Sequence, residues 1–276
     1  MSIHHRIANL FKSLRVQALM FSLMAPACVA GIDPGSKDLG AVWCVGDSIT
    51  QSNADGDRRG SPRQALHGLL DEAGYRFSYT GHFAANREGL PDTGDEPIDN
   101  LYHYHSGVSG ILIGEADGES GTTPNLASWW HQGRLDVVKP DVILIMIGTN
   151  DVGKAYDLPN APRRLRVLLQ TIYAQPGVGN PTVFLASIPP NGRGEAQAKN
   201  VAAFNARVPK IVAGFKKRGR DIHFVDQFTA LNADYAANMR KDNLHPNATG
   251  NRTMARQWFE AIESVANPQS SGEPAE

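Results

Sequence analysis

The sequence predicts an α/β protein in which helices cover both faces of a mostly parallel sheet of five strands. Short, wholly apolar segments alternate along the chain with longer segments whose apolar residues recur at helical spacing. The short segments lack the alternation of polar and apolar residues that is typical of a sheet with one face in water. Both faces are therefore expected to be buried, with one layer of helices on each side.

Five segments are predicted to be strands. The clearest is 142–147, VILIMI, which is wholly apolar, bounded by Asp141 and Gly148, and too short for a typical helix. The others are 41–45, 77–79, 182–187 and 222–225.

Four segments carry apolar residues at the spacing of a helix. They are 63–73, 162–175, 196–218 and 248–265. The third contains Pro209, which lacks an N–H group and therefore predicts a kink or a break in that helix. The basic runs 163–166 and 216–218 are expected to be solvated helix faces. No internal repeat or linker divides the chain after residue 40, so a single domain is expected over 41–266.

The two ends of the chain are predicted to lie outside this domain. Residues 1–30 combine a basic start, an apolar run and small residues at its end, which is the composition of a secretory signal peptide. The protein is therefore expected to be secreted, to the medium or the periplasm; a retained membrane anchor and a lipidated Cys28 are the alternatives. Pro26 interrupts the apolar run, which is also shorter than the roughly 20 residues of a membrane span. Residues 31–40 are expected to be a linker and 267–276 a disordered tail.

Composition excludes several classes of protein. The 276 residues include 27 Lys and Arg against 28 Asp and Glu, which gives a formal net charge of −1. A protein that binds nucleic acid needs a basic surface to offset the phosphates, so no nucleic-acid partner is expected. Two cysteines are too few for a disulfide scaffold, and Cys44, inside the first strand, is expected to be a buried free thiol.

Polar residues follow three of the predicted strands, at the point where each strand ends. Residues 46–48 follow the first strand, 148–151 follow the strand 142–147, and Asp226 follows the last strand. Ligands bind outside the carboxyl ends of the strands in an open parallel sheet. These residues are therefore expected to lie together in a functional site.

Ser48 is the candidate nucleophile. A serine hydroxyl attacks an ester only when a base takes its proton and hydrogen-bond donors stabilise the oxyanion that forms. The expected base is His245, with Asp242 accepting its Nδ1 proton, and Asp226 is the rival acid. Each residue alone has a simpler interpretation, since a serine after a strand is often a helix cap and Asp-x-x-His is common by chance. Together, at opposite ends of one α/β domain, they indicate a serine hydrolase site.

Three groups are candidates for the oxyanion hole. They are the backbone N–H of Ser48, the backbone N–H of Gly110 and the side-chain amide of Asn150. Losing one such donor typically lowers turnover by about 10²–10³-fold. Asp47 and Asp151 are expected to orient their loops by hydrogen bonding rather than to transfer protons.

Four sequence blocks resemble those of the SGNH hydrolases, also called the GDSL esterase/lipase superfamily. They are GDSIT at 46–50, GVSG at 107–110, GTND at 148–151 and DNLHPN at 242–247, in the family order. The resemblance implies a three-layer, flavodoxin-like α/β sandwich with Ser48 as nucleophile, His245 as base and Asp242 as its partner. It also implies the oxyanion hole of the three groups above, with neither a metal nor an organic cofactor.

Within this superfamily the chain is similar to the secreted acetyl xylan esterases of carbohydrate esterase family 3. GDSITQ, the segment KPDVILIMIGTND at 139–151, and DNLHPN carry the similarity. Those enzymes usually have an acidic residue before the first glycine of the second block and an aromatic residue after the last, where this chain has Ser106 and Ile111. The chain also inserts a glycine-rich loop at 114–125. These departures weaken the prediction that the substrate is a polysaccharide, but they do not affect the predicted acyl-transfer chemistry.

The function that the resemblance implies is hydrolysis of small acyl esters, acetyl above all, on carbohydrate hydroxyls, through an acyl-enzyme, in polysaccharide degradation. The expected partner is an acylated carbohydrate or a small ester. A lysophospholipase or acyl-thioesterase of the same superfamily is one alternative, but a long acyl chain needs an apolar groove, and the sequence around the site is polar and glycine-rich. A catalytically inactive carbohydrate-binding module is the other alternative, and the complete set of Ser, His, Asp and Asn argues against it.

Asp47, His105 and Trp129 are candidate substrate contacts. His105 belongs to an aromatic and imidazole cluster at 102–105. This cluster lines a sugar subsite in one interpretation; in another, His105 and His103 bind a metal, although no third ligand has a suitable spacing. Trp129 either stacks on a sugar ring or anchors a helix in the core.

Overall fold

The structure, a computed structural model, describes residues 31–52, 62–84, 104–116, 124–131, 139–175 and 178–268, with backbone only for 83–84 and 129–131. The predicted signal peptide and most of the predicted tail lie outside these residues. In the described part of the chain, no helix is both long enough and apolar enough to cross a bilayer.

The described residues form one sheet of seven strands. They are β1 (Asp38–Gly46), β2 (Arg76–Thr80), β3 (Phe83–Ala84), β4 (Tyr104–Gly107), β5 (Val142–Met146), β6 (Thr182–Ala186) and β7 (Ile222–Val225). Five of these strands run parallel in the order β2-β1-β5-β6-β7 and correspond to the five predicted strands. The prediction of a mostly parallel sheet built on these strands is confirmed.

Two further strands extend the sheet beside β1. β4 pairs in parallel with the carboxyl end of β1, along the same edge that β2 occupies nearer the start of the strand. β3 pairs with β4 in antiparallel orientation. The sequence does not predict either strand, because β3 has only two residues and β4, YHSG, contains no apolar run.

Ten helices and one 3₁₀ turn, Leu158–Asn160, lie between the described strands or after the last of them. The helices are α1 (Ser48–Gln51), α2 (Pro62–Glu72), α3 (Leu126–His131), α4 (Thr149–Gly153), α5 (Ala161–Ala174), α6 (Glu195–Asn205), α7 (Val208–Lys216), α8 (Gln227–Asn232), α9 (Tyr235–Asn238) and α10 (Ala248–Ala266). The predicted long helix 196–218 is divided into α6 and α7. Pro209 lies in the first turn of α7, where a residue without an N–H group loses no helical hydrogen bond.

The sheet separates two hydrophobic cores. Successive side chains of β5 alternate between them: Ile143 and Ile145 pack in the core beneath α5, α6 and α7, whereas Val142, Leu144 and Met146 pack in the core beneath α2 and α10. Every residue of β5 is buried. The three-layer α/β sandwich expected from the sequence is therefore confirmed.

The segment 31–40, which the sequence predicts to be a linker, is instead part of the packed domain. β1 begins at Asp38, and Leu39 and Ile32 are buried at 1% and 8% exposure. The backbone N–H of Ile32 donates a hydrogen bond to Thr182 Oγ1 at 2.8 Å, next to the start of β6. The Gly35 N–H also donates to the Ala266 carbonyl, so both buried apolar side chains and backbone hydrogen bonds hold this segment on the domain.

Candidate active site

The register of the sheet brings three loops to the same edge. Gly46, the last residue of β1, is paired with Met146 at the end of β5 on one side and with Gly107 at the end of β4 on the other. The chain leaves all three strands at the same level, so the segments that follow them are neighbours. The sequence prediction that residues 46–48 and 148–151 lie together at the carboxyl edge of the sheet is confirmed.

Close approach of backbones at this edge requires glycine at position 46. A Cβ on Gly46 would lie 2.3 Å from the Met146 carbonyl oxygen, which is fixed in the sheet. Immediately afterwards Asp47 caps α1, because its Oδ1 accepts the N–H of Ile49 at 3.0 Å. The cap makes Ser48 the first residue of the helix, which sets the direction of its side chain.

Ser48, His245 and Asp242 form a hydrogen-bonded chain. Ser48 Oγ lies 3.0 Å from His245 Nε2, and His245 Nδ1 lies 2.5 Å from Asp242 Oδ2. An ionised carboxylate can only accept hydrogen bonds, so Nδ1 carries the imidazole proton and Nε2 of the neutral ring is left to accept the serine proton. This is the arrangement that activates a serine for nucleophilic attack.

The loop that carries Asp242 and His245 is stabilised by hydrogen bonds between its own residues. Asp242 Oδ1 accepts the backbone N–H groups of Leu244 and His245, both at 3.0 Å. The His245 carbonyl accepts the N–H of Arg240 at 2.9 Å, and Asn247 caps α10 through the N–H groups of its first turn. The imidazole therefore sits between a tight turn and the start of a long helix.

Asp242 remains ionised in this setting. Partial burial alone would raise its pKa, but hydrogen bonds from the side chain and the backbone of His245 and from the Leu244 N–H lower the pKa to about 2. The carboxylate is therefore charged throughout the neutral pH range. It can stabilise the imidazolium that forms when Ser48 loses its proton.

Asp226, the rival acid, has a different role. Its side chain caps α8 by accepting the Thr229 N–H at 3.1 Å and the Thr229 hydroxyl at 2.7 Å, and it also accepts the Ser187 hydroxyl at 3.1 Å. The structure thus pairs His245 with Asp242.

The three predicted oxyanion donors lie at the same edge of the sheet. Among the described residues, the N–H groups of Ser48 and Gly110 have no hydrogen-bond acceptor. Asn150 Nδ2 donates one hydrogen to the Ile111 carbonyl at 3.0 Å, which leaves its second hydrogen available. Gly110 has φ +76°, and the space that a side chain would occupy there is open. These donors can stabilise an oxyanion formed at Ser48.

The turn that carries Gly110 is docked on the nucleophile helix. Val108 N–H donates to the Gly46 carbonyl at 3.0 Å, and Ser109 N–H donates to Gln51 Oε1 at 2.7 Å. A Cβ on Gly107 would lie 2.4 Å from the Gln51 backbone nitrogen, so this strand end lies against α1 with no side chain between them. The sequence did not reveal the role of Gln51, which is only 4% exposed, although this residue lies one helical turn after Ser48.

A buried ion pair supports the other side of the hole. Asp151 is 0% exposed; its Oδ2 accepts the Ile113 N–H at 3.1 Å, and its Oδ1 lies 2.9 Å from Arg164 Nη2. Burial raises the pKa of Asp151 to about 6, and Arg164 opposes that rise. The expectation that Asp151 orients its loop is confirmed.

The prediction that the whole run 163–166 is solvated is wrong at Arg164, whose side chain is 3% exposed. Arg164 lies on the buried face of α5, the same face as Ala161, Leu165 and Leu168. The buried carboxylate of Asp151 supplies its counter-charge. A basic residue on the apolar face of a helix is the sequence signal that identifies it.

The structure buries two of the three candidate substrate contacts. Asp47 and His105 are both 0% exposed. Burial raises the pKa of Asp47, against the hydrogen bond from the Ile49 N–H, and the carboxylate acts as a helix cap. His105 Nδ1 accepts the Gly107 N–H at 2.9 Å. The side chain of Trp129, and His103 of the alternative metal pair, lie outside the described residues.

The positions that depart from the family 3 pattern are also buried. Ser106 is 1% exposed; its Oγ accepts the Trp43 indole N–H at 2.8 Å and lies 2.8 Å from His82 Nδ1. Ile111 is 0% exposed and packs in the core beneath α5. Both positions therefore act on packing below the site rather than on direct contact with a substrate.

Cys44 is a buried free thiol, as predicted, and burial raises its pKa to about 12. It lies in the core beneath α2 and α10 and takes no part in the constellation above.

A hydrogen-bonded Ser-His-Asp set beside unpaired N–H donors, at the carboxyl edge of a parallel sheet, defines a site of the serine hydrolase type. The model of the GDSL-like lipase/acylhydrolase family matches residues 44–253. The match covers most of the chain, so the protein belongs to this family, a class of carboxylic ester hydrolases.

One curated relative extends the comparison. The multidomain esterase of Ruminococcus flavefaciens is 30% identical in an alignment 219 residues long, which covers 71% of this chain and 27% of that protein. The chain therefore spans about a quarter of the length of this relative.

Solved structures share the fold. A family 3 carbohydrate esterase of Clostridium thermocellum is 25% identical, with a TM-score of 0.62 over 82% of this chain and 96% of that chain. A family 3 carbohydrate esterase from Talaromyces cellulolyticus is 18% identical, with a TM-score of 0.61 over 82% and 97% of the two chains. A putative arylesterase from Agrobacterium tumefaciens is also 18% identical, with a TM-score of 0.55 over 82% and 99%. The last two likenesses concern the fold alone.

An Asp242→Asn substitution tests the role of the acid. The amide of the substituted side chain donates to Nδ1, so the neutral imidazole carries its proton on Nε2 and cannot accept the serine proton. We expect kcat for an activated ester to fall by about 10⁴-fold with KM little changed. An Asp226→Asn variant is the matched control, because that carboxylate caps α8; a larger loss of kcat there than at Asp242 would contradict the assignment.

Replacing Gln51 with leucine tests the docking of the oxyanion turn. The change removes the acceptor of the Ser109 N–H while keeping an apolar stem of similar size. We expect kcat to fall about tenfold, the size of one lost hydrogen bond, with a smaller change in KM. Gln170→Leu, at an exposed position of α5, is the control. Equal kcat values for the Gln51 and Gln170 variants would show that the hydrogen bond does not matter to turnover.

Proposed function

We propose that the protein is a serine esterase that removes small acyl groups, acetyl above all, from the hydroxyl groups of a carbohydrate. The observation that carries the proposal is the hydrogen-bonded chain from Ser48 Oγ through His245 to Asp242, beside three oxyanion donors. It rests also on membership of an acylhydrolase family and on likeness to carbohydrate esterases.

The first half-reaction transfers the acyl group to the protein. Ser48 Oγ attacks the ester carbonyl carbon while its proton passes to His245 Nε2. The carbonyl oxygen becomes an oxyanion, which the Ser48 N–H, the Gly110 N–H and the Asn150 amide stabilise. Collapse breaks the ester C–O bond; the leaving alcohol oxygen takes the proton from His245, and the acyl group stays on Ser48.

The second half-reaction returns the serine. A water molecule gives a proton to His245 Nε2 as its oxygen attacks the acyl carbon. The same donors stabilise the second oxyanion. Collapse breaks the bond to Ser48 Oγ, which takes back the proton, and a carboxylic acid leaves. Asp242 stays ionised throughout and stabilises the imidazolium at each stage.

One apolar cavity in the described part of the chain lies apart from the reacting groups. It is close to α1, between α2, α10 and the sheet, with Leu66, Met146 and Trp258 among its lining residues. Neither Ser48, His245 nor Asn150 lines it. A long acyl chain bound there would not extend from the reacting carbon, so the cavity gives no support to a lysophospholipase or a long-chain thioesterase.

The choice of a carbohydrate rests on one named relative and on the burial of the two departing positions. The Clostridium thermocellum protein, 25% identical, is a family 3 carbohydrate esterase. Ser106 and Ile111, which differ from the pattern of that family, are buried at 1% and 0% exposure. The departure therefore does not count against the same substrate class.

An acyl-length series on the purified protein tests this function. We expect kcat/KM to fall in the order p-nitrophenyl acetate, butyrate, octanoate, and the Ser48→Ala variant to lose about 10⁴–10⁶-fold in kcat. Equal rates for Ser48→Ala and the unchanged protein would contradict the serine mechanism, and a preference for octanoate would contradict the small acyl group. Acetate release from acetylated xylan, measured beside acetylated pectin and chitin, identifies the polymer; release from none of them would contradict a polysaccharide substrate.

We also propose that the protein is secreted, on the composition of residues 1–30. Expression of the full chain in a bacterial host, followed by intact-mass analysis of the periplasm and the medium, tests this. We expect a chain shortened by about the length of the predicted signal peptide. The intact chain confined to the cytoplasm would contradict export.

A further inference from the structure

We propose that Arg164 is a positioning residue of the oxyanion hole, which acts through Asp151 to fix Asn150 against the segment that follows Gly110. The proposal rests on the serine esterase function proposed above. It goes beyond that function because it assigns a role in turnover to a residue of α5 that does not touch the reacting atoms.

Helix α4 binds the segment after Gly110 through two hydrogen bonds. Asn150 Nδ2 donates to the Ile111 carbonyl at 3.0 Å, and Asp151 Oδ2 accepts the Ile113 N–H at 3.1 Å. Consecutive residues of one helix thus hold alternate residues of the neighbouring segment. Asn150 and Gly110 are both oxyanion donors, so these two hydrogen bonds set the distance between them.

The hydrogen bond from the Ile113 N–H depends on a carboxylate, that of Asp151, which has no access to water. Asp151 is 0% exposed, and burial raises its pKa to about 6. A neutral carboxyl group carries a proton on one oxygen and is a poorer acceptor for an N–H group. The Arg164 guanidinium, 2.9 Å away, favours the ionised form and so favours the bond to Ile113.

Arg164 fixes the direction of the Asp151 carboxylate as well as favouring its ionised form. Its Nη2 also donates to the Tyr156 carbonyl at 2.8 Å, and its Nη1 donates to the Asp157 carbonyl and Oδ2 at 3.1 Å and 2.7 Å. The planar guanidinium therefore joins α5 to the chain between α4 and α5 and to Asp151 at once.

The ion pair between Arg164 and Asp151 contributes to the positioning of neighbouring groups more than to the stability of the fold. A buried ion pair adds little net stability, because the cost of removing both charges from water offsets their attraction. Its effect is to select one arrangement of the groups that it joins. Here that arrangement includes Asn150, one residue from Asp151, whose amide must lie within hydrogen-bond distance of an oxyanion on Ser48.

The test compares the unchanged protein with Arg164→Met and the double variant Asp151→Asn/Arg164→Met, with Arg166→Met as the matched control. Arg166 is an exposed arginine on the same helix, two residues further on. Each variant is measured for kcat and KM with p-nitrophenyl acetate, for inhibition by phenylboronic acid, and for its urea midpoint. The boronate forms a tetrahedral adduct with Ser48 whose oxygen occupies the oxyanion hole, so its affinity reports the hole itself.

We expect Arg164→Met to lower kcat about 10- to 100-fold, to leave KM within about threefold, and to weaken boronate binding by the same factor as kcat. Arg166→Met should stay within about twofold of the unchanged protein in every measurement. The double variant should regain a large part of the urea midpoint, because it leaves no unpaired buried charge. It should nevertheless keep the low kcat of Arg164→Met, because the amide at position 151 has no guanidinium to fix its direction.

Three results would overturn the proposal. They are a kcat for Arg164→Met within about twofold of the unchanged protein, a loss of kcat without any loss of boronate affinity, and recovery of kcat together with stability in the double variant. If Arg164→Met fails to fold, the double variant carries the test alone. An inactive unchanged protein would instead overturn the proposed esterase function, so the two failures are distinguishable.

Discussion

The pairing of β1 with β5 is the constraint on which the site depends. Their register sets Gly46 opposite Met146, so the nucleophile loop and the Asn150 loop leave the sheet at the same level. A Cβ on Gly46 would collide with the Met146 carbonyl, and the glycine is what permits this register to continue to the end of both strands. Every later feature, from the capped start of α1 to the docked turn at Gly110, is built on this edge.

Three aspartates near the site show how the environment assigns roles to the same side chain. Asp242 is partly exposed and surrounded by donors, and its lowered pKa keeps it charged beside His245. Asp47 and Asp151 are fully buried, their pKa values are raised, and each holds a backbone N–H. One carboxylate therefore supports the movement of a proton, while the other two fix the loops around it.

The sequence contains enough information to place the strands and the catalytic set. Wholly apolar segments such as 142–147 have one stable location, the middle of a covered sheet, and the polar residues that follow them must then lie at its carboxyl edge. Ser48, His245 and Asp242 could be assigned from that rule and from their spacing. Gly110 and Asn150 followed as donors because the chemistry at Ser48 requires them.

The remaining features depend on contacts between distant segments, which local patterns do not encode. The role of Gln51 is evident only from its hydrogen bond with the Ser109 N–H. The burial of Arg164 is explained only by its ion pair with Asp151. The short strand β4 pairs with β1 beyond the end of β2 and with β3 on its other side, and both partners are distant in the chain or too short to predict. The packing of residues 31–40 likewise depends on Thr182, about 150 residues away in the chain.

Every role described above requires that His245 activates Ser48, and covalent labelling measures this activation directly. A p-nitrophenyl alkylphosphonate transfers its phosphonyl group to an activated serine and releases p-nitrophenolate, without any need to know the natural substrate. We predict one phosphonyl group per chain by intact mass, located on Ser48 by peptide mapping, with labelling strongly slowed in a His245→Ala variant. Absence of label, label on another residue, or an unchanged rate in the His245 variant would contradict it.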